Sequence, residues 1–343
     1  MCKILVRAFI WSKEDTPLPP RITVVGSYAT GLTLRVKRLP SRGQTVLASG
    51  YRADYGGKGS NQAVGCARLG AHVDFVASIG KDDFGAMALC LYREEGIDTR
   101  YVQQTPSLPT GVGFILVDAD GHNCIALDPG ANELLSPSDV TASKAAFQGT
   151  AVILTQLEIP VEAAEAALAL GRAEGSVTIL NPAPVRPLPA TMLRSVDVLT
   201  PNQTEANVLT GRRPDAASDP EAVAGDLIIA GARQVVMTLG ERGALIVAGN
   251  STQHVPAPQM PVVDTTGAGD AFNAGLATAL ACGETLGSAV EFAVVTGALA
   301  VTRAGVIPAL PTRQEVMNYY QERHLPAPSW LTEHAANRHR VIP

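Results

Sequence analysis

Residues 262–273 read Val-Val-Asp-Thr-Thr-Gly-Ala-Gly-Asp-Ala-Phe-Asn, and the spacing predicts an apolar helix over 271–281. A helix start leaves its first four backbone N–H groups without internal partners, and the helix dipole adds roughly half a positive charge there. Gly267 and Gly269 have no side chain to keep a phosphate off those amides. Asp270 comes after the Gly-Ala-Gly and so falls slightly inside the helix. Two readings of it stand. As a cap it satisfies backbone amides. As a base it takes a proton from a hydroxyl while the amides hold the charge developing on a transferred phosphoryl group.

A second stretch, Tyr55-Gly56-Gly57-Lys58-Gly59-Ser60-Asn61-Gln62-Ala63, places three glycines around one lysine and opens a helix to about Leu69. It is either a flexible turn with a surface lysine or a place where backbone approaches a ligand closely. It is not a P-loop, because Lys58 is followed by Gly rather than Ser or Thr. Further polar residues follow predicted strands: Glu158, Asn181, Asn202 with Glu205, and 238–243. Asn202 and Glu205 have the spacing of a helix cap with an acidic third residue, and Glu158 reads equally as a loop carboxylate. In a parallel sheet, however, all of these fall on one rim, beyond the carboxyl ends of the strands, where ligands bind.

The elements that position these residues alternate. Apolar runs predict strands at 22–25, 73–79, 151–157, 177–180, 196–199, 234–239 and 244–247. Helical patterns predict helices at 83–95, 161–174, 203–210, 220–231, about 288–302 and 313–324. Alternating β and α units imply a parallel sheet covered on both faces. Residues 32–36 and 45–47, with a hairpin over 112–117 and 123–127 around Asp118-Ala119-Asp120-Gly121, predict a small extra sheet. Residues 1–20 read as a leader ended by Pro17, Pro19 and Pro20, and the tail after Pro326 as a mobile segment. Its His334 and His339 are not spaced like a helical metal pair.

Composition narrows the function classes. A hydrophobic fraction of 46% supports a large core, and a net charge of −5 gives no long-range attraction to nucleic acid or an anionic membrane. No run approaches the length of a membrane-spanning helix. The five cysteines (Cys2, Cys66, Cys90, Cys124, Cys282) contain no C-x-x-C, which fits reduced thiols in a cytoplasmic protein rather than a disulfide frame or a zinc site.

Taken together, four segments resemble the ribokinase family of sugar and nucleoside kinases: 56–63, Asn181-Pro182-Ala183-Pro184, Thr200-Pro201-Asn202-Gln203-Thr204-Glu205-Ala206, and 264–270. The match is nearest to the ribokinases themselves, and it runs from about Arg21 to Arg313. The resemblance implies a three-layer α/β/α doubly wound sheet over 21–325, with a small β-sheet lid from about 32–55 and 111–128. It implies ATP-dependent phosphorylation of a primary hydroxyl on a small sugar. Asp270 would be the catalytic base, and Gly267, Ala268 and Gly269 the anion hole. Asn202 and Glu205 would organise phosphate and Mg²⁺, Glu205 acting through water. Thr238, Gly240 and Gly243 fall on the nucleotide loop. Gly57, Lys58, Asn61 and Glu158 fall on sugar contacts. Asp264 and Thr266, with the loop near Ala300, Arg303 and Gly305, fall where the family binds a structural monovalent cation, potassium. Ala309 stands where ribokinases usually have a serine ligand. The edge strands of the lid suggest a homodimer.

One departure concerns the sugar. After the first strand ribokinases have Asn-Ala-Asp, whose aspartate binds two sugar hydroxyls; this chain has Ala29-Thr30-Gly31. Ribose is then expected to be a poor substrate beside another sugar, polyol, sugar acid or nucleoside. Thr30 would replace part of the missing contact, and Lys58 would pair with an acidic substrate. A non-catalytic sugar-binding protein on the same fold is the rival from another class, and the retained Asp270, Asn202 and Glu205 argue against it. A nicotinamide dehydrogenase fails because no G-x-G-x-x-G follows the first strand.

Overall fold

The computed structural model describes residues 19–333. The apolar run at 22–25 becomes β1 (Arg21–Val25), which lies inside a nine-stranded sheet and is buried on both faces. The chain continues through β2 (Ala29–Val36), β3 (Ala48–Gly56), α1 (Lys58–Arg68), β4 (His72–Gly80), α2 (Asp83–Glu94), β5 (Val102–Thr105), β6 (Gly111–Val117) and β7 (Asn123–Asp128). Then come α3 (Pro137–Ala142), α4 (Lys144–Phe147), β8 (Val152–Thr155), α5 (Val161–Ala173), β9 (Val177–Leu180), α6 (Ala190–Arg194), β10 (Val198–Leu199), α7 (Gln203–Leu209) and α8 (Pro220–Ile229). The last part holds β11 (Gln234–Thr238), β12 (Ala244–Ala248), β13 (Ser251–Val255), α9 (Ala268–Ala281), α10 (Leu286–Ala300), α11 (Arg313–Glu322) and α12 (Ser329–Glu333).

The large sheet runs β13-β12-β11-β10-β9-β8-β1-β4-β5. It is parallel from β11 to β5, and β12 and β13 add antiparallel strands at one edge. Successive strand residues point to opposite faces, so the core divides in two. Val24, Leu154, Ile179 and Val236 pack with Val64 of α1, Phe272 and Leu276 of α9, and Phe292 of α10. Val25, Ile153, Leu180 and Met237 pack with Phe147, Leu168, Met192 and Leu227 on the other side. This is the expected three-layer arrangement.

The second sheet, β3-β2-β6-β7, pairs β2 with β6 in parallel and the outer strands antiparallel. It is the expected lid, with one strand misplaced by the sequence. Residues 45–47 precede the second lid strand, and Leu47 is almost fully exposed. The strand is β3, whose polar residues Ser49, Arg52 and Asp54 hide the apolar alternation used to find strands. Strands β5 and β13 and the short helices α3, α4, α6 and α12 also have too little periodicity to read. The start of the tail belongs to the core: Trp330 and Leu331 of α12 are buried, Trp330 packs edge-on to Phe292, and Arg313 donates to the carbonyls of Trp330 and Leu331. A mobile tail from Pro326 is therefore corrected as far as 333. The leader over 1–18, and His334 and His339, lie outside the described residues.

Candidate active site

Helix α9 begins earlier than its apolar run suggests. Gly267 is its N-cap at φ 80°, a left-handed backbone that favours glycine, and a Cβ there would lie 2.6 Å from Val306. Helical hydrogen bonding starts at Ala268, so Asp270 sits in the first turn and is buried. Its carboxylate does not cap the helix. Oδ2 accepts from Asn61 Nδ2 at 2.8 Å and Oδ1 from Gln62 Nε2 at 2.9 Å. Of the proposed anion hole, the Ala268 amide already donates to Thr265 O at 3.3 Å. Among the described residues the amides of Gly269 and Asp270 donate to no protein group, as a helix start dictates. A Cβ at Gly269 would meet nothing within 4 Å, so its missing side chain leaves room in front of those amides.

Helix α1 supplies the opposite wall. Lys58, Asn61 and Gln62 are spaced i, i+3, i+4 and share one helix face. Asn61 Oδ1 is buried without a partner, an acceptor waiting for a donor. Gln62 is held from behind: its Oε1 accepts from buried Gln156 Nε2 at 2.6 Å, while its Nε2 also donates to Asn181 Oδ1 at 3.1 Å. The carboxylate therefore fixes the direction of the whole amide chain, since a reversed Gln62 would set its oxygen against Asp270. Gly57 is the N-cap of α1. Glu158 Oε2 accepts from the Lys58 amide at 2.8 Å and from Ser27 Oγ at 2.6 Å, leaving its other oxygen open. The Asp270 charge, followed in effect by Glu158 and Glu205, holds the Lys58 ammonium above its usual pKa against the pull of burial.

A pocket of about 190 Å³ is lined by Lys58, Asn202, Glu205, Thr238, Gly267, Gly269 and Asp270 with Asn181, Thr200 and Asn273, whereas Glu158 lines a separate cavity with Pro129 and Arg186. Asn202 and Glu205 do form the cap that their spacing suggests: Asn202 Oδ1 accepts from the Glu205 amide and Glu205 Oε2 from the Asn202 amide, both at 2.8 Å. The cap does not exclude a ligand role, because among the described residues the second Glu205 oxygen accepts from no protein group, and the residue lines the pocket. Burial raises the Glu205 pKa despite the Asn202 amide and Lys58, which favour the charged form. Gly240 and Gly243 lie in the turn after β11, outside the pocket lining. Gly243 is required by the fold, with φ 94° and a Cβ position 2.1 Å from Val255 O.

The cation residues also converge. Asp264 accepts from the Thr266 amide at 2.9 Å and the Gly305 amide at 3.0 Å, tying the loop before α9 to the loop after α10. Ala300 ends α10. The Arg303 side chain points away, to Glu315 Oε1 at 2.6 Å and to Ala309 O at 3.4 Å.

Sequence reasoning placed Asn181 on the ligand rim and missed Gln62, Thr200 and Asn273 as site residues. Gln62 had a signal, its i+4 spacing from Lys58; the other two depend on a strand end meeting α9 in space. One expectation fails. Thr30 is fully buried, with its hydroxyl 3.2 Å from the Tyr28 hydroxyl, so it cannot replace a sugar contact.

Residues 19–313 match the family model of the pfkB family carbohydrate kinases. The chain is 35% identical over 302 residues to a ribokinase of Haemophilus influenzae, covering 88% of this chain and 98% of that one. It is 33% identical over 299 residues to a deoxyribokinase of Salmonella typhi, covering 87% and 98%. Among solved structures it resembles the Arabidopsis thaliana ribokinase complexed with ribose and ATP, with TM-score 0.82 and 31% identity over 88% of this chain and 98% of that one.

Proposed function

The chain belongs to the pfkB family of carbohydrate kinases and phosphorylates a sugar with ATP, and from that premise we propose that Asp270 is the base for a small neutral sugar whose recognition differs from that of ribose kinases. The observation that carries this is the setting of Asp270: a buried carboxylate held by Asn61 and Gln62 in the same helical turn as two unpartnered amides. A primary hydroxyl gives its proton to the Asp270 carboxylate as its oxygen attacks the terminal phosphorus, and the bond from that phosphorus to its bridging oxygen breaks to release ADP. Lys58 and the Gly269 and Asp270 amides face the growing negative charge. Asn61 Oδ1 accepts from a second hydroxyl and helps to orient the ring.

The free Glu205 oxygen suits Mg²⁺, a hard cation that keeps several waters, and would hold it through water beside the phosphates. Mg²⁺ supplies charge neutralisation on the phosphate oxygens. The Asp264 carboxylate and the Thr266 carbonyl, completed by the loop near Ala300, Arg303 and Gly305, would offer oxygen ligands suited to potassium, although Ala309 adds no side-chain ligand. Thr238, with Gly240 and Gly243, is assigned to the nucleotide side. Gly57, Lys58, Asn61 and Glu158 are assigned to the sugar side. We further assign a cytoplasmic location, and a homodimer built on the lid, whose β3 and β7 are edge strands.

An acidic substrate fits poorly. Asp270, Glu158 and Glu205 all act on Lys58 to raise its pKa, and three carboxylates around one ammonium disfavour a further negative charge. The test is ADP release over a panel of pentoses, deoxypentoses, hexoses, polyols, nucleosides and sugar acids. We expect a neutral compound to lead, with D-ribose behind it. A ribose kcat/KM of about 10⁴ M⁻¹s⁻¹ or more, unmatched elsewhere in the panel, overturns the substrate reading.

A further inference from the structure

Gly31 is not a glycine that the backbone needs. It lies in β2 with no left-handed φ, and a Cβ there would make ordinary contacts, 3.6 Å to Ile115 Cδ1 and 3.8 Å to Asp54 O. The fold would tolerate the aspartate that ribokinases have, so its absence says something about the site.

The sheet register shows what stands beside the gap. Gly31 pairs with Asp54 of β3 on one side and with Gly113 of β6 on the other. Directly paired residues project from the same face, with Cβ atoms about 4.5–5.5 Å apart. Period-two alternation puts Ala29, Gly56 and Gly111 on that face as well. Among these six positions Asp54 alone carries a polar side chain. The Gly111 end of this face turns toward the Glu158 side: a Cβ on Gly111 would strike Asn132 and Pro129, and Pro129 shares a cavity with Glu158, which holds the Lys58 amide. Arg52, on the same face as Asp54, acts electrostatically on Asp264 in the loop leading to α9.

We propose that Asp54, one strand over, supplies the sugar-reading carboxylate that Gly31 lacks, which makes it a specificity-determining residue of this kinase. The inference rests on the reading of Gly31 and Asp270 given above. Asp54 is already oriented. Its Oδ2 accepts from Arg52 Nε at 3.1 Å and Nη2 at 2.9 Å, and among the described residues no hydrogen-bond partner occupies Oδ1. One oxygen is fixed and the other is open, and the side chain is 43% exposed. A carboxylate displaced by a strand spacing reads a hydroxyl displaced by the same amount. The expected sugar is therefore longer than a pentose, or has a different arrangement at the carbons far from its phosphorylated hydroxyl.

The experiment is steady-state kinetics of Asp54→Ala, Asp54→Asn and the double variant Asp54→Ala/Gly31→Asp. The probes are D-ribose, a hexose and ATP, and thermal denaturation checks folding. Loss of one charge-assisted hydrogen bond lowers kcat/KM about 10–100-fold. We expect that loss for the hexose in both single variants, with KM for ATP unchanged, and improved D-ribose use in the double variant. Sugar KM values within about twofold of wild type in folded Asp54→Ala overturn the proposal. So does an equal loss in KM for ATP and for sugar. Asp270→Asn is assayed in parallel: if it stays active, the underlying site reading has failed, whereas an inactive Asp270→Asn beside an unaffected Asp54→Ala sinks the Asp54 proposal alone.

Discussion

The wall that carries Asp270, together with the α1 amides that hold it, is dense with committed hydrogen bonds, whereas the lid face around Gly31 is built from Ala29, Gly56, Gly111 and Gly113, with Asp54 its one polar neighbour there. On the first wall the side-chain amides of Asn61, Gln62, Gln156 and Asn181 are buried and directed, and a change at one group leaves others unpaired. On the second, most positions have no side chain to lose, and at Gly31 the space for one is open. The difference teaches how such an enzyme can keep its chemistry while altering its substrate. On the proposed reading, phosphoryl transfer depends on a network that tolerates little change, and sugar reading on a few lid residues that can be exchanged with little effect on the core.

The sharpest way to break this contrast is at Asp270. Asn keeps the shape and still accepts at one atom, but it cannot take a proton. We expect Asp270→Asn to fold and to lose about 10²–10⁴-fold in kcat, with KM for both substrates changed little. Near wild-type turnover would reduce Asp270 to a structural role.

Gln62 comes next. It acts through Asp270 and is a positioning residue. Gln62→Leu keeps the volume, frees Asp270 Oδ1 and leaves Gln156 Nε2 and Asn181 Oδ1 without their partner. Misplacing a reacting group by about 1 Å costs on the order of 10²-fold, so kcat should fall by about 10–100-fold while KM for ATP stays within about twofold. Stability should also fall, by about 1–3 kcal/mol for the stranded polar groups, seen as a lower urea midpoint. A stability loss with unchanged kcat would separate Gln62 from the chemistry.

How much of this was legible follows from the same contrast. The layered sheet was readable because buried strands such as β1 and β9 are continuous apolar runs and α5 is strongly patterned. Asp270, Asn202 and Glu205 could be singled out because helix starts confine them to recognisable spacings. The lid was read less well, since β3 is exposed along most of its length and its register against β2 leaves no mark in sequence. Asp54 was invisible for that reason: its neighbour across the sheet is 23 positions earlier in the chain. Thr200 and Asn273 were hidden by the same kind of distance, their hydrogen bond joining the end of β10 to α9.

The smallest expected effect is at Asp264, which fastens the loop leading into the Asp270 wall without touching the chemistry. Partial burial alone would raise its pKa, but the Thr266 and Gly305 hydrogen bonds outweigh that and hold it below the usual carboxylate value. A carboxylate whose folded pKa is depressed contributes stability that is present above its unfolded pKa, about 3.9. That contribution is lost as the pH falls through the folded value. Asp264→Asn has one acceptor where Asp264 has two, so either the Thr266 or the Gly305 amide loses its partner. We expect a loss of about 1–2 kcal/mol at pH 7, read as a lower urea midpoint, together with weaker potassium activation. The difference from wild type should be full at pH 7 and shrink below about pH 4, where the wild-type carboxylate also becomes protonated. A midpoint difference that stays constant into acid would mean that the side chain's shape, not its charge, holds the two loops together. The Asp270 wall would then owe its rigidity to packing and neutral hydrogen bonds, and the contrast with the lid would be one of density rather than of charge.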